Sequence, residues 1–291
     1  MSAITIRPVT DITGCNHFQE LERRIWFSPD IEVVPNHVLM TALKNGGGLL
    51  GAYAPDGPNE TGGMVGAAFW WLGADRPHPE DELRTKICSH VVGVLPGWQG
   101  QRIGLRLKLA QRETVLTQGL TDWITWTYDP LYRANGVFNI HRLGATCNTY
   151  LRNVYGEMQD ALNRGVPSDR CQVDWHIASP HVATDLDATR PRAQWQPDAF
   201  HILPTSRSGD FTAPGEKSPR LDGEPLALPI PDDIAAIRLA DGALSLAWRL
   251  HLREWMEQAF AAGYTLVDCV AIPAKGWHYI LVREFGYFSG R

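Results

Sequence analysis

Residues 89–119 constrain the fold more than any other part of the chain. Ser89 to Leu95 is a β-branched apolar run that ends at Pro96, which predicts a strand. Ile103 to Gln118 contains no proline and is followed by Gly119, a residue typical of helix ends, which predicts a helix. The chain is therefore expected to contain a strand, a short loop and a helix in direct succession.

The loop Gln99–Gly104 between that strand and helix is predicted to bind an anion. Its backbone N–H groups and those of the first helical turn have no partner within the helix, and the helix dipole favours negative charge at the same place. The glycines at positions 100 and 104 keep side chains away, so that a phosphate can approach the backbone closely. The last residues of the strand then lie beside whatever the phosphate carries.

These residues resemble the signature of the GNAT superfamily of N-acetyltransferases, in which a V-x-P strand end precedes Q/R-x-x-G-x-G/A at the start of a helix. Residues 94–96 match the first part, and Gln99, Gly100 and Gly104 match most of the second. Arg102 stands where the family usually has the inner glycine. The loop is therefore expected either to take a non-glycine conformation at Arg102 or to hold the pyrophosphate partly with the guanidinium.

The resemblance continues beyond the helix and covers about two thirds of the chain. It includes a strand Trp123–Tyr128 and a segment Asn135–Gly144 that matches the family's next helix, which ends in Leu-Gly. The runs WTYDPL, FNIHRLGA, YGEM and NRGVPSDR are similar to a subgroup of predicted GNAT proteins with an added C-terminal segment. The alternative is a purely structural turn, as in α/β proteins without a cofactor, but the flanking elements favour coenzyme A binding.

The resemblance implies transfer of an acetyl group from acetyl-CoA to an amine by direct attack. The acceptor class that follows is a small-molecule or peptide amine, whose identity the sequence leaves open. The residues that the resemblance assigns to coenzyme A are Val92, Gly93, Val94, Gln99, Gly100, Gln101, Arg102, Ile103, Gly104 and Asn135.

The proton route is left open by a departure from the family. Its usual proton donor is a tyrosine in the Leu-Gly helix, and Ile140 occupies that position here. The candidate catalytic residues are His90, Asp129, Tyr132 and Asn139, with His141 close by. His90 is the leading base because histidine titrates near neutrality, although a core histidine would give the same pattern. The departures at positions 102 and 140 leave a second function open, a coenzyme A-binding sensor or interaction protein without turnover.

The predicted fold class is α/β (α+β), with a GNAT-like mixed, mostly antiparallel sheet flanked by helices and a smaller C-terminal α/β extension. The predicted divisions are an acetyltransferase-like domain at 1–180, a proline-rich linker at 181–230, and a helix-plus-hairpin extension at 231–291 packed on the core. The helix after the loop carries a second apolar stripe formed by Leu105, Leu109 and Leu116. This stripe predicts a cover, either the C-terminal segment or a partner subunit, so a homodimer is one of the two alternatives.

Composition excludes several other classes of function. The formal net charge is −5 and no Lys/Arg-rich block occurs, which argues against nucleic acid as a partner. No apolar run approaches the ~18 residues of a membrane span. The five cysteines are scattered without C-x-x-C spacing, which indicates neither zinc nor disulfides and favours a reducing, cytoplasmic location. No histidine spacing indicates a metal site.

Two further segments are candidates for contact with the acceptor. Trp26, Phe27 and His37 lie near the ends of two predicted helices, where the family places the wall of its acceptor site, although ordinary helix ends would look the same. The loop Gly156–Arg170 is dense in polar residues, which favours either a functional lip or an internally hydrogen-bonded loop.

Overall fold

The computed structural model describes residues 3–26, 32–76, 79–156, 166–187, 195, 200–216, 218 and 220–283. The chain divides into two compact units, Met1–Trp126 and Thr127–Arg291. This division lies within a strand and is separate from the boundaries at 180 and 230 that the sequence suggests, which stay predictions.

The first unit is a mixed, mostly antiparallel sheet with three helices. Its strands are hydrogen-bonded in chain order, antiparallel from the first to the fourth and parallel between the fourth and the fifth. The elements are β1 (Thr5–Pro8), α1 (Ile12–Trp26), α2 (Asn36–Lys44), β2 (Gly48–Tyr53), β3 (Met64–Asp75), β4 (Arg84–Val94), α3 (Ile103–Gln118) and β5 (Trp123–Tyr128), which runs across the boundary of the unit. This architecture confirms the predicted fold class.

Local sequence explains where the helices of this unit begin and end. The side chain of Asp11 accepts a hydrogen bond of 2.7 Å from the backbone N–H of Gly14 at the start of α1. Gly119 follows α3 with a φ of +66°, and its N–H donates to the carbonyls of Val115 and Leu116. Both signals are readable from the sequence, and α3 spans the residues that the sequence predicts for it.

The ribbon formed by β3 and β4 has charged residues at its outer end. β3 continues to Asp75 and β4 already begins at Arg84, with these two residues as the outermost pair of the ribbon. The Lys86 Nζ lies 3.3 Å from the Asp75 Oδ1. Opposite charges on neighbouring strands stabilise an exposed ribbon, so charged residues do not mark the end of these strands.

The second unit contains a six-stranded sheet, a separate hairpin and four helices in its described residues. The strand order in the sheet is β7-β6-β12-β13-β11-β8. The elements are α4 (Arg133–Gly136), which continues into a π-helical turn (Val137–Arg142), β6 (Thr146–Leu151), β7 (Arg170–His176), α5 (Pro180–Leu186), β8 (His201–Ile202), β9 (Thr205–Ser208), β10 (Phe211–Pro214), β11 (Leu226–Pro229), α6 (Ile234–Ala240), α7 (Gly242–Ala261), β12 (Thr265–Ile272) and β13 (Gly276–Val282).

The predicted C-terminal helix and hairpin are present as α7 and the antiparallel pair β12–β13. The buried side of α7 includes Trp248, Leu252 and Met256, as the helical spacing predicts. The hairpin β9–β10 was not predicted, because its strands are short and lie in a proline-rich segment. It is held to the rest of this unit by a hydrogen bond of 3.0 Å from the Trp248 indole N–H to the Thr212 carbonyl.

The second apolar stripe of α3 is partly exposed. Leu109 is 37% exposed, and Leu105 and Leu116 are half-buried. The side of the helix that is buried carries Ile103, Leu107 and Val115, together with the polar Lys108 and Gln111. The cover predicted for the second stripe stays a prediction.

Candidate functional site

The strand β4 carries a bulge at His90. The register between β3 and β4 pairs Phe69 with Val91 but Trp70 with Ser89, so His90 has no partner on β3. The His90 ring lies against two aromatic rings of β3, with centroids 4.7 Å from Trp71 and 6.1 Å from Phe69. Bulges re-aim side chains and are common beside active sites.

β4 and β5 separate directly before this bulge. They pair at Ile87–Ile124 and Cys88–Thr125, and no later pair joins them in the described residues. On its other edge, β4 continues to pair with β3 up to Val94. Among the described residues, the edge of β4 that faces away from β3 therefore has no strand partner along Val92–Val94, and an edge of this kind can bind an extended ligand as an added strand.

The loop after β4 is open and ends at an uncapped helix. A tight 3-10 turn at Pro96–Trp98 is followed by Gln99, whose side-chain N–H donates to the Val94 carbonyl at 3.1 Å. A Cβ added to Gly97 or Gly100 would meet no atom within 4 Å. No side chain caps the N-terminus of α3. The donors of the first helical turn are therefore left for an anion, as the sequence predicts for this loop.

Arg102 adopts the conformation of the glycine that the family pattern would place there. Its φ is +60° and its ψ is +17°, in the left-handed region. The expected non-glycine conformation at this position is therefore wrong. The left-handed conformation costs a residue with a side chain about 1 kcal/mol. The second alternative, that the Arg102 guanidinium helps to hold a pyrophosphate, stays a prediction.

Gly93 is a glycine because Trp26 lies against it. A Cβ at position 93 would come within 2.5 Å of the Trp26 Cη2 and 2.9 Å of the Ile25 Cδ1. Trp26 itself is 45% exposed, so α1 brings a partly exposed aromatic ring to the end of β4. Of the other two acceptor-wall candidates, His37 is exposed on α2 and Phe27 lies outside the described residues.

Glu22 is a buried carboxylic acid on α1 that the sequence analysis did not single out. It is 4% exposed and accepts a hydrogen bond of 3.2 Å from the Val34 backbone N–H. Burial raises the pKa of Glu22 to about 7. Phe18 and Trp26 lie one turn away on either side, and Phe18 stacks near Phe69 with ring centroids 6.0 Å apart. The signal was present, because Glu22 falls within the apolar stripe of this helix.

His90 combines an exposed side chain with a partly desolvated ring. The surrounding protein disfavours the charged form and lowers the pKa of His90 below the usual histidine value. The ring is therefore neutral at pH 7, as a proton acceptor must be.

Lys108 carries a buried amine next to the point where β4 and β5 stop pairing. Its Nζ donates to the Ser89 Oγ at 3.2 Å and to the Gln111 Oε1 at 2.7 Å. It also lies 3.6 Å from the centre of the Trp126 ring. Burial lowers the pKa of Lys108 well below its usual range. Nothing in the helical pattern distinguished this lysine from an exposed one.

In the second unit, Asp129 forms buried ion pairs. Its Oδ2 accepts from the Arg249 Nη2 at 2.7 Å and lies 3.6 Å from the Arg170 Nη1. Its Oδ1 accepts from the Leu131 backbone N–H at 2.9 Å. Both oxygens are engaged, which favours an anchoring role for Asp129 over that of a proton acceptor.

The other candidates of the second unit surround the π-helical turn. Tyr132 receives a hydrogen bond of 3.4 Å at its hydroxyl from Arg238. Asn139 is buried within the turn, and Asn135 is half-buried in α4 just before it. Ile140 is fully buried. Because isoleucine has no ionisable group, it cannot donate a proton as the tyrosine at this position of the GNAT pattern would.

The His141 Nδ1 lies 2.8 Å from the Asp268 Oδ1, and the Trp195 indole donates to the Asp268 Oδ2 at 2.6 Å. These bonds lower the pKa of Asp268 against the opposing effect of its burial. The arrangement holds the end of the π-helical turn to β12.

The two described ends of the polar loop are hydrogen-bonded to each other, since the Ser168 hydroxyl donates to the Gly156 carbonyl at 2.9 Å. Asp169 is fully buried and accepts from both the Nε and the Nη2 of Arg253, at 2.8 and 2.9 Å, and from the Tyr150 hydroxyl at 3.0 Å. Residues 157–165 lie outside the described part of the chain. The described residues next to this gap therefore favour an internally hydrogen-bonded loop over a functional lip.

Two features are absent from the described residues. No cluster of three or more His, Cys, Asp or Glu side chains there could hold a metal ion. No helix in the same part of the chain has both the length and the apolar character that a membrane crossing requires.

Comparison with known proteins gave structural similarities. Neither a family model nor a curated protein matches the chain. Solved structures similar to it include Arabidopsis thaliana NAA60 with a bisubstrate analogue (13% identity, TM-score 0.46), the ribosomal-protein-S18-alanine N-acetyltransferase from Escherichia coli (16%, 0.44) and an N-acetyltransferase from Staphylococcus aureus Mu50 (14%, 0.45). Each similarity covers 60% of this chain, and it covers 97%, 94% and 99% of the respective structures.

Proposed function

We propose that this protein is an acetyl-CoA-dependent N-acyltransferase that passes an acetyl group from the thioester directly to the amine of a small molecule or peptide. One observation carries the proposal. The strand β4 loses its partner β5 beside the bulge at His90 and then leads, through an open loop, into the uncapped start of α3. The same residues resemble the GNAT signature.

Each part of this arrangement suits a part of coenzyme A. The backbone N–H groups of Gln99–Gly104 would bind the pyrophosphate, because the loop is open and the helix dipole favours negative charge there. The unpaired edge of β4 at Val92–Val94 would pair with the amide groups of the pantetheine arm. The acetyl group would then lie near the bulge at His90.

His90 is the residue that we propose as the proton acceptor for the attacking amine. An amine with a pKa near 10 is almost wholly protonated at pH 7, so it must lose a proton before it attacks. His90 is an exposed residue, and partial desolvation of its ring lowers its pKa, which favours the neutral form at this pH. Asp129, the reserve candidate, is bound by two arginines.

A second candidate function is coenzyme A binding without turnover. The buried Ile140, at the position where the family carries its tyrosine, favours it, because that residue cannot protonate a leaving thiolate. Release of free thiol from acetyl-CoA over a panel of amines separates the two functions. Turnover on any amine supports transfer, and binding without turnover on the whole panel supports the second candidate.

The binding site itself is tested by titration calorimetry with coenzyme A. Gly104→Glu places bulk and negative charge at the start of α3 and is expected to abolish binding. Gly104→Ala adds a methyl group without charge, and Gln118→Glu adds the same charge at the exposed C-terminal end of α3, so both controls are expected to bind. Unchanged affinity in Gly104→Glu would show that the site lies elsewhere.

A further inference from the structure

The buried Lys108 occupies a particular place in the first unit. Its side chain is 1% exposed and extends from α3 to the sheet. The last pair between β4 and β5 is Cys88–Thr125, and Lys108 contacts the next residue on each strand, Ser89 and Trp126. The amine therefore lies at the first step where the two strands no longer pair.

The contact with Ser89 links this amine to the bulge. Ser89 immediately precedes His90, the residue without a partner on β3. Gln111, one turn along α3, accepts from the same Nζ and also donates its own side-chain N–H to the Ser89 Oγ at 3.2 Å. The Ser89 hydroxyl is thus held by two side chains of α3, and the backbone beside the bulge is fixed with it.

Stability alone does not explain a lysine at this position. Removing an amine from water is costly, whereas an unbranched apolar side chain such as methionine would fill similar space without that cost. Replacement of buried ionic groups by apolar residues of similar volume is often neutral or stabilising. A buried polar network whose members are hydrogen-bonded makes the residues that it joins more rigid.

We propose that Lys108 is a positioning residue that holds Ser89 and Trp126 apart and thereby fixes the bulge at His90 and the unpaired edge Val92–Val94. The role of this edge in binding the pantetheine arm rests on the proposed function. The separation of the two strands does not, because it is a property of the protein without ligand.

The first test is hydrogen exchange of the ligand-free protein with Lys108→Met, which keeps the approximate length of the side chain and removes its hydrogen bonds. We expect the backbone amides of Ser89–Val94 to exchange at least 10-fold faster, while the melting temperature is unchanged or higher. Ser89→Ala, which removes the same bond from the other side, should have a similar local effect, and the double variant should show little more. Lys44→Met on the exposed end of α2 is the matched control.

The second test is steady-state kinetics of the same variants with acetyl-CoA. Lys108→Met is expected to lower kcat/KM by about 10-fold or more, because a small displacement of the reacting groups is enough for such a loss. A wild-type protein that does not bind coenzyme A would overturn the proposed function, and the exchange experiment would still decide whether Lys108 positions the bulge.

Two results would overturn the inference itself. The first is that the amides of Ser89–Val94 exchange in Lys108→Met at the same rate as in the wild type. The second is a general loss of melting temperature with faster exchange throughout the unit, which would identify Lys108 as an ordinary packing residue.

Discussion

The ring of Trp26 lies over Gly93, with its Cη2 2.5 Å from the point that a Cβ at position 93 would occupy. The glycine therefore allows α1 to approach the end of β4 closely. Because the free edge of this same strand segment is proposed to bind the pantetheine arm, the contact couples the packing of α1 to the shape of the site.

Gly93→Ala is expected to destabilise the protein by about 1–3 kcal/mol, since the added methyl group overlaps Trp26 and Ile25 and displaces α1. Coenzyme A affinity should fall as well. Gly97→Ala is the matched control, because a Cβ there meets no atom within 4 Å. Chemical denaturation and calorimetry measure the two effects, and equal stability of the two variants would contradict the packing argument.

Arg102→Gly is expected to stabilise the protein by about 1 kcal/mol, because glycine adopts a φ of +60° without steric cost. Arg102→Ala keeps the strained conformation and should not gain stability. The same pair tests the guanidinium. If it holds the pyrophosphate, both variants bind coenzyme A more weakly than the wild type; if both bind as well as the wild type, the backbone alone makes the site.

Glu22→Gln is expected to alter the pH dependence of stability. Since burial raises the pKa of Glu22 to about 7 in the folded protein, the folded state holds a proton that the unfolded state releases at lower pH. The stability that Glu22 contributes to the wild type is therefore fully present in acid, below the pKa of the unfolded state. It is lost as the pH rises through the folded-state pKa of about 7. The variant should gain on the order of 3 kcal/mol over the wild type at pH 8 and little at pH 4.

Thermal or urea unfolding from pH 4 to pH 8 measures this difference. Glu113→Gln, at an exposed position of α3, is the control and should follow the wild type. A constant offset between Glu22→Gln and the wild type at all pH values would show that the pKa of Glu22 is the same in the folded and unfolded states, and would contradict the prediction.

His90→Ala is expected to lower kcat by roughly 10²-fold while coenzyme A affinity stays nearly intact. Because the pKa of His90 is lowered, the acidic limb of the wild-type rate profile should lie below the usual histidine value. His176→Ala, at an exposed position of β7 that has no proposed role in the site, serves as the control. Wild-type turnover in His90→Ala, or loss of coenzyme A binding with it, would identify His90 as structural.

The sequence predicted the elements whose signals are local. The β4–α3 loop and the end of α3 at Gly119 follow from glycine, proline and apolar spacing, and the hairpin β12–β13 follows from its alternation. The resemblance to the GNAT superfamily added the prediction of a mixed, mostly antiparallel sheet, and the first unit contains such a sheet.

What the sequence did not reveal depends on contacts between distant residues. The bulge at His90 is a matter of register against β3, and the burial of Lys108 depends on Ser89 and Trp126. Glu22 is hidden by the segment around Val34. None of these partners is adjacent in the chain, so no periodicity encodes the contacts.

The central claim is that coenzyme A binds at the end of β4 and the start of α3. Amide NMR of deuterated protein during titration with coenzyme A tests it residue by residue. The account predicts that the largest shifts occur at the amides of Val92–Val94 and of Gly100–Gly104, and that Gly104→Glu abolishes them. Saturable shifts centred on other residues, or none at millimolar coenzyme A, would contradict it.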